Sequence, residues 1–558
     1  MGRSEEGIET DSGRIIVKLQ IKIKKERFSV MKSLFLKIMG LAIGLFLIPI
    51  ACTERSEVST QEDRAVLFDT ILEKTMEREA FSPIKNQKLK LDVRANMMRF
   101  RDEMIAAETD EKLFNVLMQI SNARKDRHLS VSLVKDGLKI KNTEEKHAPI
   151  RFAVDYGTPG AFFFFVSDMA KDIGDFTGDA MPRVGDKLMA VNGQPIEEYF
   201  DAVEPYHRYS SINGLWWKFA EGLPMRTYRI PPTLEYEKMT CLLERKDGEQ
   251  VQISLPYLDG RSIEWEGYFK GHGEDRYSGF GLLFSTETYD LYRHDGGKKV
   301  LLLDWYGFRE NLVADVDRLV AYASEKELLD YALIWDGTRS RGGSKGAYAI
   351  QRLSPKPFRT TFGNVRISDI TESFIRNKRE DYAERKIEDS GVKETIDDGS
   401  WLMEWLENDV MQAIEEGKAY SNNVPFKLAH LPRDSDGILQ PADDHFRGSL
   451  VCLLGPHGGS HLDQFAAMVV DNNLGHTIGM STGGYSNTWE WEETLVFPIS
   501  GKPVADFMWS MGHTLRPNGE ILEGNPAMVD AYVPVTRENY LTYYDSLLSK
   551  ALEHLGMN

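Results

Sequence analysis

The chain has little cysteine, 3 residues in 558, which excludes a disulfide-stapled scaffold. It has no surplus of positive charge. With 68 Lys and Arg against 86 Asp and Glu, the net charge is −18. General nucleic-acid binding needs a basic face and is excluded. No tandem repeat or long low-complexity tract is present. No His-Glu-x-x-His occurs, and no Gly-rich loop ends in Gly-Lys-Ser/Thr. The usual zinc-hydrolase and P-loop signatures are therefore absent. What remains is 42% hydrophobic and 28% charged, the composition of a folded globular protein. The length predicts about two to four domains.

The longest apolar run, Ile38 to Ile50, is shorter than the ~20 residues of a comfortable membrane span. It follows the basic start Met31-Lys32-Ser33 and precedes Ala51-Cys52. Residues 31–52 thus read as an export signal of lipoprotein type, with Cys52 as the acylated residue. Plain secretion or an uncleaved anchor are the other outcomes. Residues 1–30 are highly charged and read as a non-native upstream extension, with Met31 as the true start. Residues 53–64 form a polar tether. The expected location is extracytoplasmic, on a bacterial membrane. Cys241 and Cys452 lie in apolar contexts and are predicted to be buried thiols.

Residues 65–149 form an N-terminal helical module. Ala65 to Phe68, Ile71, Leu72, Phe114, Leu117 and Ile120 repeat at helical spacing, and no glycine interrupts the stretch from 65 to 120. Val131 to Val134 alternates like a strand, so His128 sits at a helix-to-strand junction. Residues 150–258 change character. Ala161 to Val166 and Val251 to Leu255 read as strands. Val184 to Ile196 reads as strand, Asn192-Gly193 turn, strand. Its Gly185-Asp186 and Val191-Asn192-Gly193 resemble the signature of PDZ-like domains, which bind extended peptides at a sheet edge.

From residue 259 to the end the pattern is α/β. Lys299 to Trp305 and Tyr331 to Asp336 are buried strands flanking an amphipathic helix from Leu312, which implies a parallel pair. A Gly-rich loop, Gly337 to Ser344, follows the second strand, where α/β folds place their sites. Residues 355–445 read as a charged, partly helical insertion, either a lid over a cleft or a solvated decoration. The apolar run Ser449 to Leu454 then leads into Gly455-Pro456-His457-Gly458-Gly459-Ser460-His461, and an apolar helix follows. Ser460 either caps that helix or presents its hydroxyl as a nucleophile beside a helix N-terminus. His457 and His461 lack the partner set of a zinc site, and no metal or other cofactor is called for.

Taken in order, Asp126-Arg127-His128, the PDZ-like stretch, Asp336 with Arg339 and Gly342-Gly343, and Ser460-His461-Leu462-Asp463 resemble the tail-specific (C-terminal processing) serine peptidases. Gly479 to Gly484 resembles the family's Gly-x-x-Thr-x-Gly turn, and Glu523-Gly524-Asn525-Pro526 its closing segment. No lysine follows that turn until Lys502, so the resemblance is to the tricorn-like branch, whose serine works with histidine and glutamate. It implies a multidomain α+β protein with a ClpP/crotonase-like α/β core. It also implies catalysis by Ser460, His128 and Glu523, with Glu520 the competing acid. The amides of Gly343 and His461 would form the oxyanion hole, and Gly342 and Gly484 would bind substrate. The implied partners are peptide or protein substrates. An inactive relative that holds peptides or apolar ligands, and a PDZ-type scaffold, are the other classes of function.

Overall fold

The computed structural model describes residues 59–81, 85, 90–158, 162–268, 276–388, 400–425, 436–487 and 489–557. The signal, the tether through Val58 and Cys52 lie outside them. Among the described residues no helix is long and apolar enough to cross a membrane.

A seven-stranded sheet forms the core, in the spatial order Phe280–Ser285, Tyr289–His294, Val300–Trp305, Ala332–Asp336, Leu450–Leu454, His476–Gly479, Ala531–Tyr532. The first two strands run antiparallel to their neighbours, and the remaining pairings are parallel. Parallel strands covered on both faces read as unbroken apolar runs. Val300–Trp305, Ala332–Asp336 and Leu450–Leu454 are buried at every position. Alternation sorts their side chains. Leu301, Leu303 and Trp305 face the helices Leu312–Glu325, Gly346–Leu353 and His461–Asp471. Val300, Leu302 and Ile334 face the C-terminal helix Tyr543–His554.

A second sheet runs Ile150–Asp155, Phe163–Met169, Lys187–Val191, Lys238–Glu244, Gln250–Pro256, with Gln194–Pro195 folded back on Lys187–Val191. Asn192 and Gly193 both have positive φ, 52° and 82°, as a tight two-residue hairpin requires. The helices Ile196–Val203 and Ile212–Gly222 pack on this sheet through Tyr199 and Phe219. Cys241 lies in this core and Cys452 in the main one, both as free thiols.

The N-terminal helices Gln61–Arg78, Val93–Met98, Arg101–Ala106 and Asp110–Asn122 pack on a small sheet. Its strands are Val131–Leu133, Pro503–Ser510 and Glu490–Val496. Val131 lies opposite Phe507 and Leu133 opposite Ala505. This pairing ties the segment that carries His128 to a strand almost four hundred residues later.

The described residues of 355–445 are anchored to the rest of the chain. Phe358–Arg359 pairs with Ile438–Leu439, and Phe362–Gly363 lies between Val424–Pro425 and Thr514–Leu515. Val365, Phe374, Trp405 and Leu406 share a buried cluster with Trp489 and Met511. Apolar burial on this scale distinguishes the segment from a solvated decoration.

Candidate active site

Leu450–Leu454 ends in a glycine-rich turn, and Ser460 lies at the N-cap of helix His461–Asp471 with φ 61° and ψ −123°. Such a conformation costs a non-glycine residue ~1–3 kcal/mol, and strain of this kind clusters at functional sites. The Ser460 side chain makes no capping bond to the helix. Instead its Oγ lies 3.2 Å from His128 Nε2. The capping reading is therefore set aside.

Several contacts hold the strained turn. The Ser460 N–H donates to the Tyr485 carbonyl at 2.7 Å. Asp463, buried one helical turn onward, accepts from the Thr482 hydroxyl and from the amides of Gly484 and Tyr485, both at 2.9 Å. Burial pushes its carboxyl up to about 7, and the three hydrogen bonds pull the other way. Asp463 thus fixes the loop whose Tyr485 carbonyl fixes Ser460.

His128 follows helix Asp110–Asn122 and precedes strand Val131–Leu133. Its own N–H donates to Asp126 Oδ1 at 2.9 Å, and its ring meets the Tyr485 ring edge-on at 5.2 Å. Behind the ring lie two buried carboxylates, Asp126 and Glu523. A ligand atom from each of Asp126, His128 and Glu523 lies within 4.8 Å of the others. Glu523 Oε2 accepts the Ser486 N–H at 2.8 Å, and Ser210 also bonds this carboxylate. Its Oε1 is buried with no hydrogen-bond partner among the described residues, as are Asp126 Oδ2 and His128 Nδ1. Burial, with Asp126 alongside, raises the Glu523 carboxyl well above the usual carboxylate range.

The structure therefore brings Ser460, His128 and Glu523 into one pocket, and adds Asp126, which the sequence reading did not weigh. Its signal was the Asp-x-His spacing, an Asx-type turn that orients the histidine backbone. Glu520 is exposed and bonds Asn525 instead. The Lys85 ammonium stands 3.9 Å from Glu523 Oε1, held by the carbonyls of Arg124 and Lys125.

Strand Arg341–Gly343 runs parallel to Gly307–Phe308 and passes beside Ser460. A Cβ on Gly342 would fall 2.7 Å from Ser460 Cβ and 3.2 Å from the His461 nitrogen. Only glycine leaves that space open. Gly343 is pressed instead on the Phe308 carbonyl. The Gly484 N–H donates to Asp463 and its carbonyl accepts from the Gly524 N–H, so its backbone holds the turn.

The two flanking histidines are held neutral by burial. His461 is pushed down to about 3, and its Nε2 accepts the Gly346 N–H at 2.7 Å at the start of helix Gly346–Leu353. His457 is pushed down to about 4 and meets the Trp217 ring edge-on at 5.3 Å. A histidine whose pKa is lowered on folding takes up its proton on unfolding in acid, so stability falls with pH below about 6.5. The lead in stability of the wild type over His461→Gln is expected to shrink by up to about 1.4 kcal/mol for each pH unit of acidification between pH 6.5 and about 3. Urea unfolding of both proteins at several pH values checks this, and a constant gap would contradict it.

No protein-family model matches the chain, and no curated protein matches it. Solved structures do. Mature CPAF complexed with lactacystin superposes with a TM-score of 0.64 at 13% identity, over 89% of this chain and 98% of that chain. Mature CPAF alone gives a TM-score of 0.63 at 15% identity, over 88% and 96%. The chain shares the fold of CPAF. The photosystem II D1 C-terminal processing protease covers 85% of this chain at a TM-score of only 0.35 and 9% identity, a likeness too loose to carry weight. At such identities a fold persists because burial pattern and strand order define it, not particular side chains.

Proposed function

We propose that this chain is a serine peptidase that cleaves peptides, or unfolded and C-terminal segments of proteins, outside the cytoplasm, held to the membrane by a lipid on Cys52. One observation carries the reading: a hydroxyl on a strained strand-to-helix turn lies 3.2 Å from an imidazole nitrogen contributed by a distant part of the chain. A serine hydroxyl is a weak nucleophile until a base at that range takes its proton.

His128 Nε2 accepts the Ser460 proton as Oγ attacks the scissile carbonyl carbon, and later returns it to the leaving amine. Glu523, a buried carboxyl with a ligand atom within 4.8 Å of a His128 ring nitrogen, stabilises the imidazolium and its tautomer. The tetrahedral oxyanion forms beside Gly342 and is held by the amides of Gly343 and His461, the latter at a helix N-terminus. Gly342 keeps that volume clear. The six-stranded domain presents a peptide-binding sheet edge in the manner of PDZ-like modules.

A fluorophosphonate probe reacts only with an activated serine. It is expected to label the wild-type chain at Ser460 and to leave His128→Ala unlabelled. Labelling that survives loss of His128 would remove His128 as the base, and no labelling of a folded wild type would favour a catalytically inactive holder of peptides or apolar ligands.

A further inference from the structure

A cavity of about 780 Å³ adjoins the turn that carries Ser460. It lies between strand Ile150–Asp155, helix Ile212–Gly222 and the loop bearing His457. Its charge is one-sided. Arg127, Arg151, Arg208, Lys218 and Arg229 line it, against the carboxylates of Glu145 and Glu221. Lys218 is paired with Glu221, Arg229 with Glu145 at 4.0 Å, and Arg151 with the buried Asp168 at 3.5 Å. Among the described residues, neither Arg127 nor Arg208 forms an ion pair. Arg208 donates to the Leu129 carbonyl at 3.4 Å. Arg127 stacks over the Tyr485 ring at 4.2 Å, and its Nη1 is buried with no hydrogen-bond partner among the described residues.

A guanidinium stacked on an aromatic face keeps its in-plane N–H groups free for a bidentate carboxylate. Arg127 also precedes His128 in the chain, and Tyr485 touches both the Arg127 and His128 side chains while its carbonyl holds the Ser460 amide. A carboxylate bound here is thus one aromatic ring from the reacting hydroxyl. Trp217, Ile230 and Tyr540 give the same cavity an apolar wall for the stem of a long side chain.

From this we infer that the cavity is a specificity subsite that takes an acidic side chain of the peptide substrate, glutamate above all, through Arg127 and Arg208. The inference rests on the peptidase reading for its meaning as substrate selection, but the binding itself does not require turnover.

The test therefore measures binding first, with folded Ser460→Ala protein and C-terminally amidated peptides. A set of sequences with a single glutamate moved along the chain is compared with glutamine controls by fluorescence anisotropy. One glutamate position is expected to bind about tenfold tighter than its glutamine control, the scale of a charge-assisted hydrogen bond. The preference should shrink as salt rises. Arg208→Gln, at an exposed position, should remove most of the preference for glutamate over glutamine while the melting temperature stays unchanged. Arg127→Gln should act in the same direction. Equal affinities at every position overturn the inference. So does a preference that appears only with a free C-terminal carboxylate, whatever the side chain. Absence of turnover by the wild type, with the glutamate preference intact, overturns the peptidase reading alone.

Discussion

Replacing Ser460 by alanine is expected to lower kcat/KM for peptide cleavage by roughly 10⁶, the loss seen when the nucleophile of a serine-type triad is removed. The fold should be unaffected. The hydroxyl caps no helix and its contact with His128 is 3.2 Å long, so little native energy goes with it. Ser460→Gly sharpens the prediction. At φ 61° and ψ −123° the serine occupies backbone space that glycine enters without a Cβ penalty. The glycine variant should therefore be inactive yet more stable, by about 1 kcal/mol once the greater freedom of the unfolded glycine chain is set against the relieved strain. Thermal or denaturant unfolding beside a peptide-cleavage assay tests both. A variant that keeps measurable turnover would remove Ser460 from the chemistry, and one that melts well below the wild type would show that the turn is not strained.

The second large effect separates two carboxylates that the structure places behind one imidazole. Asp126 Oδ1 is already engaged by the His128 backbone N–H and lies 3.9 Å from Nδ1. Glu523 Oε2 is engaged by Ser486, and its Oε1 remains a buried acceptor without a hydrogen-bond partner among the described residues, 3.9 Å from the Lys85 ammonium. Glu523 is thus the acid that can close on Nδ1–H when a substrate fills the site, since hydrogen bonds of a resting site tighten in the reacting complex. Glu523→Gln is expected to lower kcat by about 10⁴, because an amide cannot stabilise the imidazolium and can donate to Nδ1 in the wrong tautomer. Asp126→Asn retains an oxygen for the His128 N–H and should cost about tenfold or less, a change through positioning. Single-turnover rates on the two variants decide it. A larger loss in Asp126→Asn than in Glu523→Gln would reverse the assignment.

Some of this was legible along the chain because it depends on neighbours in sequence. The unbroken apolar runs through Leu301–Leu303, Leu333–Trp335 and Leu450–Leu454 signal strands covered on both faces, and the structure places all three in the parallel part of the core sheet. The Asn192-Gly193 pair signals a tight hairpin, and strand, glycine turn and helix around Ser460 follow from local composition. The hydrogen bonding of Gly484 was not legible. Only the arrival of Asp463 and Gly524 shows which groups hold its backbone. Residues 355–445 were ambiguous for a similar reason. Their charge suggests solvent, and the apolar residues that meet Trp489 and Met511 are too sparse in sequence to announce a shared cluster.

By itself, then, the sequence determined the periodicities: which segments bury both faces, which bury one, and where glycine lets the chain turn. Those are local matters of side-chain volume and backbone freedom. The tertiary structure decided which chemistry-bearing groups meet. His128 reaches Ser460 because Val131–Leu133 hydrogen-bonds to Pro503–Ser510. Glu523 reaches the same pocket because its oxygen finds the Ser486 amide. The one-sided charge of the neighbouring cavity exists only because segments far apart in the chain, holding Arg127 and Arg208, fold against a common wall. Long-range pairing of this kind is fixed by the sum of many burial and hydrogen-bond terms across the whole fold, and no window of sequence contains it.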